Sequence, residues 1–188
     1  DITDVLKDKF PTIFKKVGSD FFKIQNDGFF NVKMFGAKGD GVTNDSSAFQ
    51  NAVDFCELFS VKTLMIPYGN FLLNEPVIFN RGGVKIQGHG GFGREESWIG
   101  YSTATYPDKF PLGTTNTYLG CTITVPKNST AFVYSESVVD PVNIDGINFI
   151  AKDGRTVGNT NAIDFHATFS GPIWNFVIKN CYFRGFNR

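Results

Sequence analysis

The sequence predicts a mainly β protein, a parallel β-helix whose coils are preceded by one short amphipathic helix. Two observations carry this reading. Ile144-Asp145-Gly146-Ile147-Asn148-Phe149 and Ile178-Lys179-Asn180-Cys181-Tyr182-Phe183 share the form I-x-[GN]-h-x-F, where h is a small or medium apolar residue. Each is preceded by a matching apolar element, Ala131-Phe132-Val133-Tyr134 before the first and Ala162-Ile163-Asp164-Phe165 before the second, so each unit holds two strands in the same order. Val84-Lys85-Ile86-Gln87-Gly88 reads as an earlier copy. Strands this short, with Gly or Asn where the chain turns sharply, suit the stacked coils of a solenoid. Alternation places Ile and Phe inside and the intervening residues on the outer face. A β-sandwich also supplies many short strands, but recurrence of one two-part unit weighs against it.

Taken in order, residues 1–28 are expected to form a helical neck or linker. Ile2, Val5, Leu6, Phe10, Ile13 and Val17 follow helical spacing, Pro11 suits the first turn of a second short helix, and Gly18 ends it. A stripe on so short a segment must lie against the body of the protein or against copies of itself. Residues 29–74 then form an N-terminal cap with a motif loop, a helix and the first strands. In the helix, Phe49, Ala52, Val53 and Cys56 make an i, i+3, i+4, i+7 stripe after Asp45, which is placed to cap the first turn. Thr63 to Leu73 reads as a strand, a turn carrying Pro67 and Gly69, and a second strand. Residues 75–188 hold the first rungs of the β-helix, with a long inserted loop over 90–118.

Composition narrows the function. The chain has 188 residues, 41% apolar and 19% charged, with 18 basic residues against 18 acidic ones. That balance gives no basic field for nucleic acid or an anionic membrane, and no apolar run reaches the ~20 residues of a spanning helix. Cys56, Cys121 and Cys181 are odd in number and remote in sequence, so buried free thiols are expected. No secretory signal is visible at the start, and synthesis in a reducing cytoplasm is expected. The absence of an initiator Met, and the end at Arg188 directly after a repeat, read as a piece of a longer chain. Two histidines far apart and no C-x-x-C give no zinc spacing; no D-x-D-x-D-G calcium loop and no G-x-S-x-G elbow occur. No metal and no cofactor is expected.

The loop Phe35-Gly36-Ala37-Lys38-Gly39-Asp40-Gly41-Val42-Thr43-Asn44-Asp45 opens the helix and poses the question of a phosphate cradle. Asp40 and Asp45 would repel a phosphate where the helix dipole should attract one, and no Lys-Ser or Lys-Thr follows. A structural role fits better: the end of a β-helix exposes unpaired edges and an apolar interior, and the helix from Ser46 to Leu58 is suited to cover them. These residues, with Ala48-Phe49-Gln50-Asn51-Ala52, Ile66-Pro67-Tyr68-Gly69-Asn70-Phe71 and Val84-Lys85-Ile86-Gln87-Gly88, resemble the opening of the pectate-lyase-like superfamily, and are most similar to bacteriophage tailspike polysaccharide depolymerases. The resemblance spans about residues 31 to 90, with Asn44 where an Asp is commoner and Met34 where an acidic residue is. It implies a right-handed parallel β-helix with an N-terminal capping helix. Gly36, Gly39, Asp40, Gly41, Asp45, Pro67 and Gly69 are then structural motif residues.

For function the resemblance implies a phage tailspike, homotrimeric and located in the virion tail, that binds and degrades bacterial surface polysaccharide. Non-catalytic glycan binding, a purely structural or assembly role, and a cellular pectinase or glucanase stand as alternatives. Hydrolysis needs two carboxyl groups flanking the glycosidic bond, while β-elimination needs a base beside an acidic sugar. Asp164 and His166 alternate with Ile163 and Phe165 and should share an outer face as an acid/base pair, or simply as a solvated polar pair. Asp145, at the outward x of its repeat, is a candidate second carboxylate. Trp98, Tyr101 and Trp174 are candidates to stack on sugars, with Arg155 between the last two units as a further glycan contact. Catalytic groups of the intact spike are also expected on later rungs or between subunits.

Overall fold

Strands of two to five residues carry too few hydrogen bonds to stand alone and gain stability only by stacking. The computed structural model describes residues 8–10, 13–17, 20–23, 29–89, 120–135, 141–152, 159–166 and 175–186. From Phe30 onward the chain winds in successive coils. The first holds β3 (Phe30–Asn31), a 3-10 turn (Val32–Phe35), β4 (Asp40–Asn44) and the helix α1 (Ser46–Leu58). The second holds β5 (Thr63–Ile66), β6 (Gly69–Leu72) and β7 (Val77–Phe79). The third holds β8 (Lys85–Gly88), β9 (Cys121–Val125) and β10 (Thr130–Tyr134). The fourth holds β11 (Asn143–Asp145), β12 (Asn148–Ala151) and β13 (Asn161–Phe165), and β14 (Val177–Lys179) and β15 (Tyr182–Arg184) begin a fifth.

These strands lie in three sheets, ordered β14-β11-β8-β5-β3 (sheet 1), β15-β12-β9-β6-β4 (sheet 2) and β13-β10-β7 (sheet 3). Every pairing within them is parallel. The fold is thus mainly β with one long helix, and the visiting of three sheets in turn is consistent with a parallel β-helix with coils ~4.8 Å apart. Register stacks like on like. Phe30, Leu64, Ile86, Ile144 and Ile178 form one row in sheet 1. Phe71, Ile123, Phe149 and Phe183 form one in sheet 2. In sheet 3 the rings of Phe79, Tyr134 and Phe165 stack at 4.4 and 5.3 Å.

The second, third and fourth coils each have three strands where the repeat suggested two. The six-residue repeat is itself a corner: Gly146 (φ +71°) and Asn180 (φ +52°) take the left-handed conformation between β11 and β12 and between β14 and β15. At the matching place in the third coil, Gly88 lies so close to the next coil that a Cβ would sit 2.0 Å from the Gly146 carbonyl oxygen. Here the chain also carries its insertion, residues 89–120 between β8 and β9, where the second, fourth and fifth coils use two residues. Its stems are tied to the coil before: His89 N–H donates to Ile66 O at 2.9 Å, and Gly120 O accepts from Gly69 N–H at 3.3 Å.

The N-terminal segment departs from expectation. In place of a second short helix the chain forms an antiparallel hairpin, with β1 (Phe14–Val17) paired to β2 (Asp20–Lys23) and Val17 opposite Asp20. Gly18-Ser19 is a residue pair favoured between hairpin strands, and Phe and Val favour strands over an isolated helix too short to be stable. Asp8 and Lys9 are helical. Two residues of the apolar stripe pack on the body. Phe10 and Ile13 are fully buried, with the Phe10 ring 5.2 Å from Phe55 and 6.2 Å from Phe35, and Lys9 pairs with Asp54 at 2.7 Å. The helix α1 packs Phe49, Ala52, Val53, Phe55 and Cys56 against β5, β7 and the 3-10 turn. All three thiols are free, and burial pushes those of Cys56 and Cys121 up to about 12.

Candidate functional site

The amides of the glycine-rich loop are already engaged. The buried Asp45 carboxylate accepts from Lys38 N–H at 2.7 Å and Gly39 N–H at 3.0 Å. Asp40 accepts from Val42 N–H at 2.9 Å, and from Thr43 N–H and hydroxyl at 2.7 Å each. Led by the Thr43 amide, these bonds hold the exposed Asp40 carboxyl down at about 2. A phosphate would find carboxylates where it needs donors, so the loop is a latch. Asp45 precedes α1 but makes no side-chain cap, contrary to the spacing argument. Its carboxylate gains two charge-assisted bonds by reaching back to the loop, and Asn44 Oδ1 takes the helix side, accepting from Ser46 N–H at 3.1 Å and its hydroxyl at 2.7 Å. Gly36 ends the 3-10 turn, Gly41 lies in β4, Pro67 turns the corner after β5, and Gly69 opens β6. Gly39 (φ +67°) is pressed against the Phe71 ring, 2.7 Å from where a Cβ would stand.

Asp164 and His166 come together on the outer face of sheet 3. Register aligns Ile78, Val133 and Asp164 across three coils, on the opposite side from Val77, Phe132 and Ile163. His166 N–H donates to Tyr134 O at 2.9 Å, extending the ladder one residue beyond β13 and bringing the ring back over the same face. Its Nε2 lies 3.0 Å from Asp164 Oδ2, and the two side chains are 55% and 42% exposed. A carboxylate so placed orients an imidazole, the geometry of a proton acceptor open to a ligand from solvent.

Asp145 is elsewhere. It sits in sheet 1 between Gln87 and Lys179, nearly buried by its partners. Asn180 Nδ2 donates to it at 2.9 Å, and Lys179 Nζ and Lys85 Nζ lie at 3.4 and 3.6 Å. Burial acts to raise its carboxyl, but the Asn180 amide and the two ammonium groups outweigh that and hold it below the usual range. It therefore ties three coils together on a different sheet from the Asp164–His166 pair.

Trp98, Tyr101, Arg155 and Trp174 lie outside the described residues. Among the described residues no group of three or more His, Cys, Asp or Glu could hold a metal ion, and no helix is long and apolar enough to cross a membrane. Sequence reasoning missed two side chains on α1. Gln50 donates to Ile78 O at 3.0 Å and accepts from Ile78 N–H at 2.8 Å. Glu57 Oε1 accepts from Asn80, Arg81 and Gly82 N–H at 3.0, 3.0 and 3.4 Å. Both look like ordinary polar flank positions until the topology shows which strand they face.

Residues 29–96 match the family model described as rhamnogalacturonase A/epimerase, pectate lyase-like. A glucan 1,3-beta-glucosidase of Cochliobolus carbonum is 43% identical over 27% of this chain and 8% of its own. Among solved structures, the ORF18 protein of Geobacillus virus E2 is similar over 73% of this chain and 31% of that one, with a TM-score of 0.38 and 15% identity. The chain thus spans less than a third of the length of either protein. Both the family model and the glucosidase carry the names of polysaccharide-active enzymes. Residues 29–96, the stretch that holds the latch loop, α1 and the start of the parallel sheets, are thus similar to a pectate lyase-like family model.

Proposed function

We propose that the chain is the leading part of a bacteriophage tailspike that binds bacterial surface polysaccharide and, in the intact homotrimeric spike, cleaves it. The phage branch rests on the sequence resemblance over residues 31 to 90. The winding is taken as right-handed, the hand of nearly all parallel crossovers, with α1 as the cap of the first coil. The observation that carries the glycan reading is the exposed Asp164–His166 pair at 3.0 Å on the outer face of a rigid parallel sheet.

That pair favours proton abstraction over hydrolysis. Hydrolysis needs two carboxyl groups roughly 5 to 9.5 Å apart across one bond, and Asp145 is held on another sheet by Lys85 and Lys179. An imidazole oriented by a carboxylate is suited to take the proton beside a sugar carboxylate in β-elimination. The test is digestion of purified capsule and O-antigen by the intact protein, followed by absorbance of the unsaturated product. His166→Ala and Asp164→Asn should each reduce the rate at least about 100-fold, the usual worth of a general base. Unchanged digestion by both variants would move the chemistry to other rungs. Glycan retained tightly but left uncut would instead support a receptor-binding spike, the reading favoured by finding a single candidate carboxylate on that face among the described residues.

A further inference from the structure

The first coil has no third strand. After β4 the chain enters α1, so sheet 3 begins only with β7, whose far side would be an open edge. An unpaired edge strand is a template for another chain. Here the edge is filled by a side chain. Gln50 presents its carboxamide to Ile78 as a peptide group would, with Oε1 taking the Ile78 N–H at 2.8 Å and Nε2 reaching the Ile78 carbonyl at 3.0 Å. In the parallel ladder Ile78 lies opposite Val133, and its own N–H and C=O both turn away from β10 toward α1. The amide is itself held, since Nε2 also donates to Asp54 Oδ1 at 2.8 Å, and Asp54 is fixed by Lys9. Glu57, two turns along the same helix, closes the following turn by accepting from Asn80, Arg81 and Gly82.

We infer that Gln50 is a surrogate strand: its side-chain amide occupies the place of the missing β-strand and blocks edge-to-edge pairing of β7 with a second copy of the chain. The Ile78 side chain, 42% exposed on the outer face beside Val133, is apolar surface that an added strand would help to bury. The inference concerns assembly and stands whether or not the glycan reading holds.

The test is amide hydrogen exchange and sedimentation of the whole chain. In the unsubstituted protein the Ile78 amide should be protected although no backbone partner faces it. In Gln50→Met, which keeps length and apolar stem, Ile78 exchange should rise at least about tenfold, the worth of one hydrogen bond. The variant should also sediment as larger species as concentration increases. Adding Ile78→Pro removes the exposed donor and makes the edge unfit for pairing, so the double variant should return to the parent's sedimentation. An unprotected Ile78 amide in the parent overturns the surrogate strand without recourse to any variant. Rapid exchange in Gln50→Met with unchanged sedimentation overturns the block, as does association that Ile78→Pro leaves intact.

Discussion

The first coil and the last described one differ in how they are covered. At the first coil each sheet meets a side chain. Asn31 takes the Lys33 and Met34 amides after β3, Asp40 takes the Val42 and Thr43 amides of β4, and Gln50 takes Ile78 of β7. Behind them Phe10, Phe30, Phe35 and Phe55 form a buried aromatic cluster. In the last described coil the same rows are less covered. Phe183 lies flat on Phe149 at 5.2 Å yet is 45% exposed, and Phe176 and Val177 are 59% and 46% exposed. One row thus holds a fully buried ring at Phe71 and a half-exposed one at Phe183, so what a side chain contributes depends on the coils stacked on either side of it.

The sharpest contrast lies within the row of sheet 2. Phe71→Ala removes a fully buried ring that packs on Phe49, and should lower stability by about 3 to 5 kcal/mol. Phe183→Ala removes a half-exposed ring from the same row and should lower it by about 1 kcal/mol, both read from urea unfolding. Equal losses would break the comparison. Between the ends, Gly88→Ala forces a methyl against the Gly146 backbone and should destabilise by about 3 kcal/mol, with Gly146 itself unchanged. Asp45→Ala leaves the Lys38 and Gly39 amides without their acceptor and should lower stability by about 2 to 3 kcal/mol.

A smaller effect concerns pH. Because the folded protein holds the Asp145 carboxyl below its ordinary value of 3.8, its contribution is present in full above that value and is lost as pH falls through the depressed one. Acid unfolding should therefore loosen the fourth and fifth coils before the first, and Asp145→Asn should flatten that part of the profile. Smallest of all, His166→Ala should change stability by under about 0.5 kcal/mol, since the side chain is more than half exposed and pairs with the exposed Asp164.

Much of the stack was legible because register makes neighbouring coils alike. The I-x-[GN]-h-x-F repeats, the Pro67 turn and the α1 stripe each depend on residues close in sequence, and each falls on the element predicted. What was illegible depends on partners far away. Asp45 looks like a helix cap from its neighbours alone, yet the loop six and seven residues before it offers the better bonds. Asp145 looks like a free outward carboxylate until Lys85, 60 positions before it, is brought alongside. The hairpin at Phe14–Lys23 was hidden because its apolar residues also satisfy a helical period, and Gly18 reads equally as a helix stop. Gln50 carries no local signal at all.

The most direct measurement is residue-resolved hydrogen exchange along the stacked rows of the 188-residue chain. If stacking on both sides is what closes each row, protection should be greatest for Leu64, Ile86, Phe71 and Ile123 and should fall toward Ile178 and Phe183, each of which has one described strand beside it. Uniform protection along the rows, or a gradient running the other way, would contradict it.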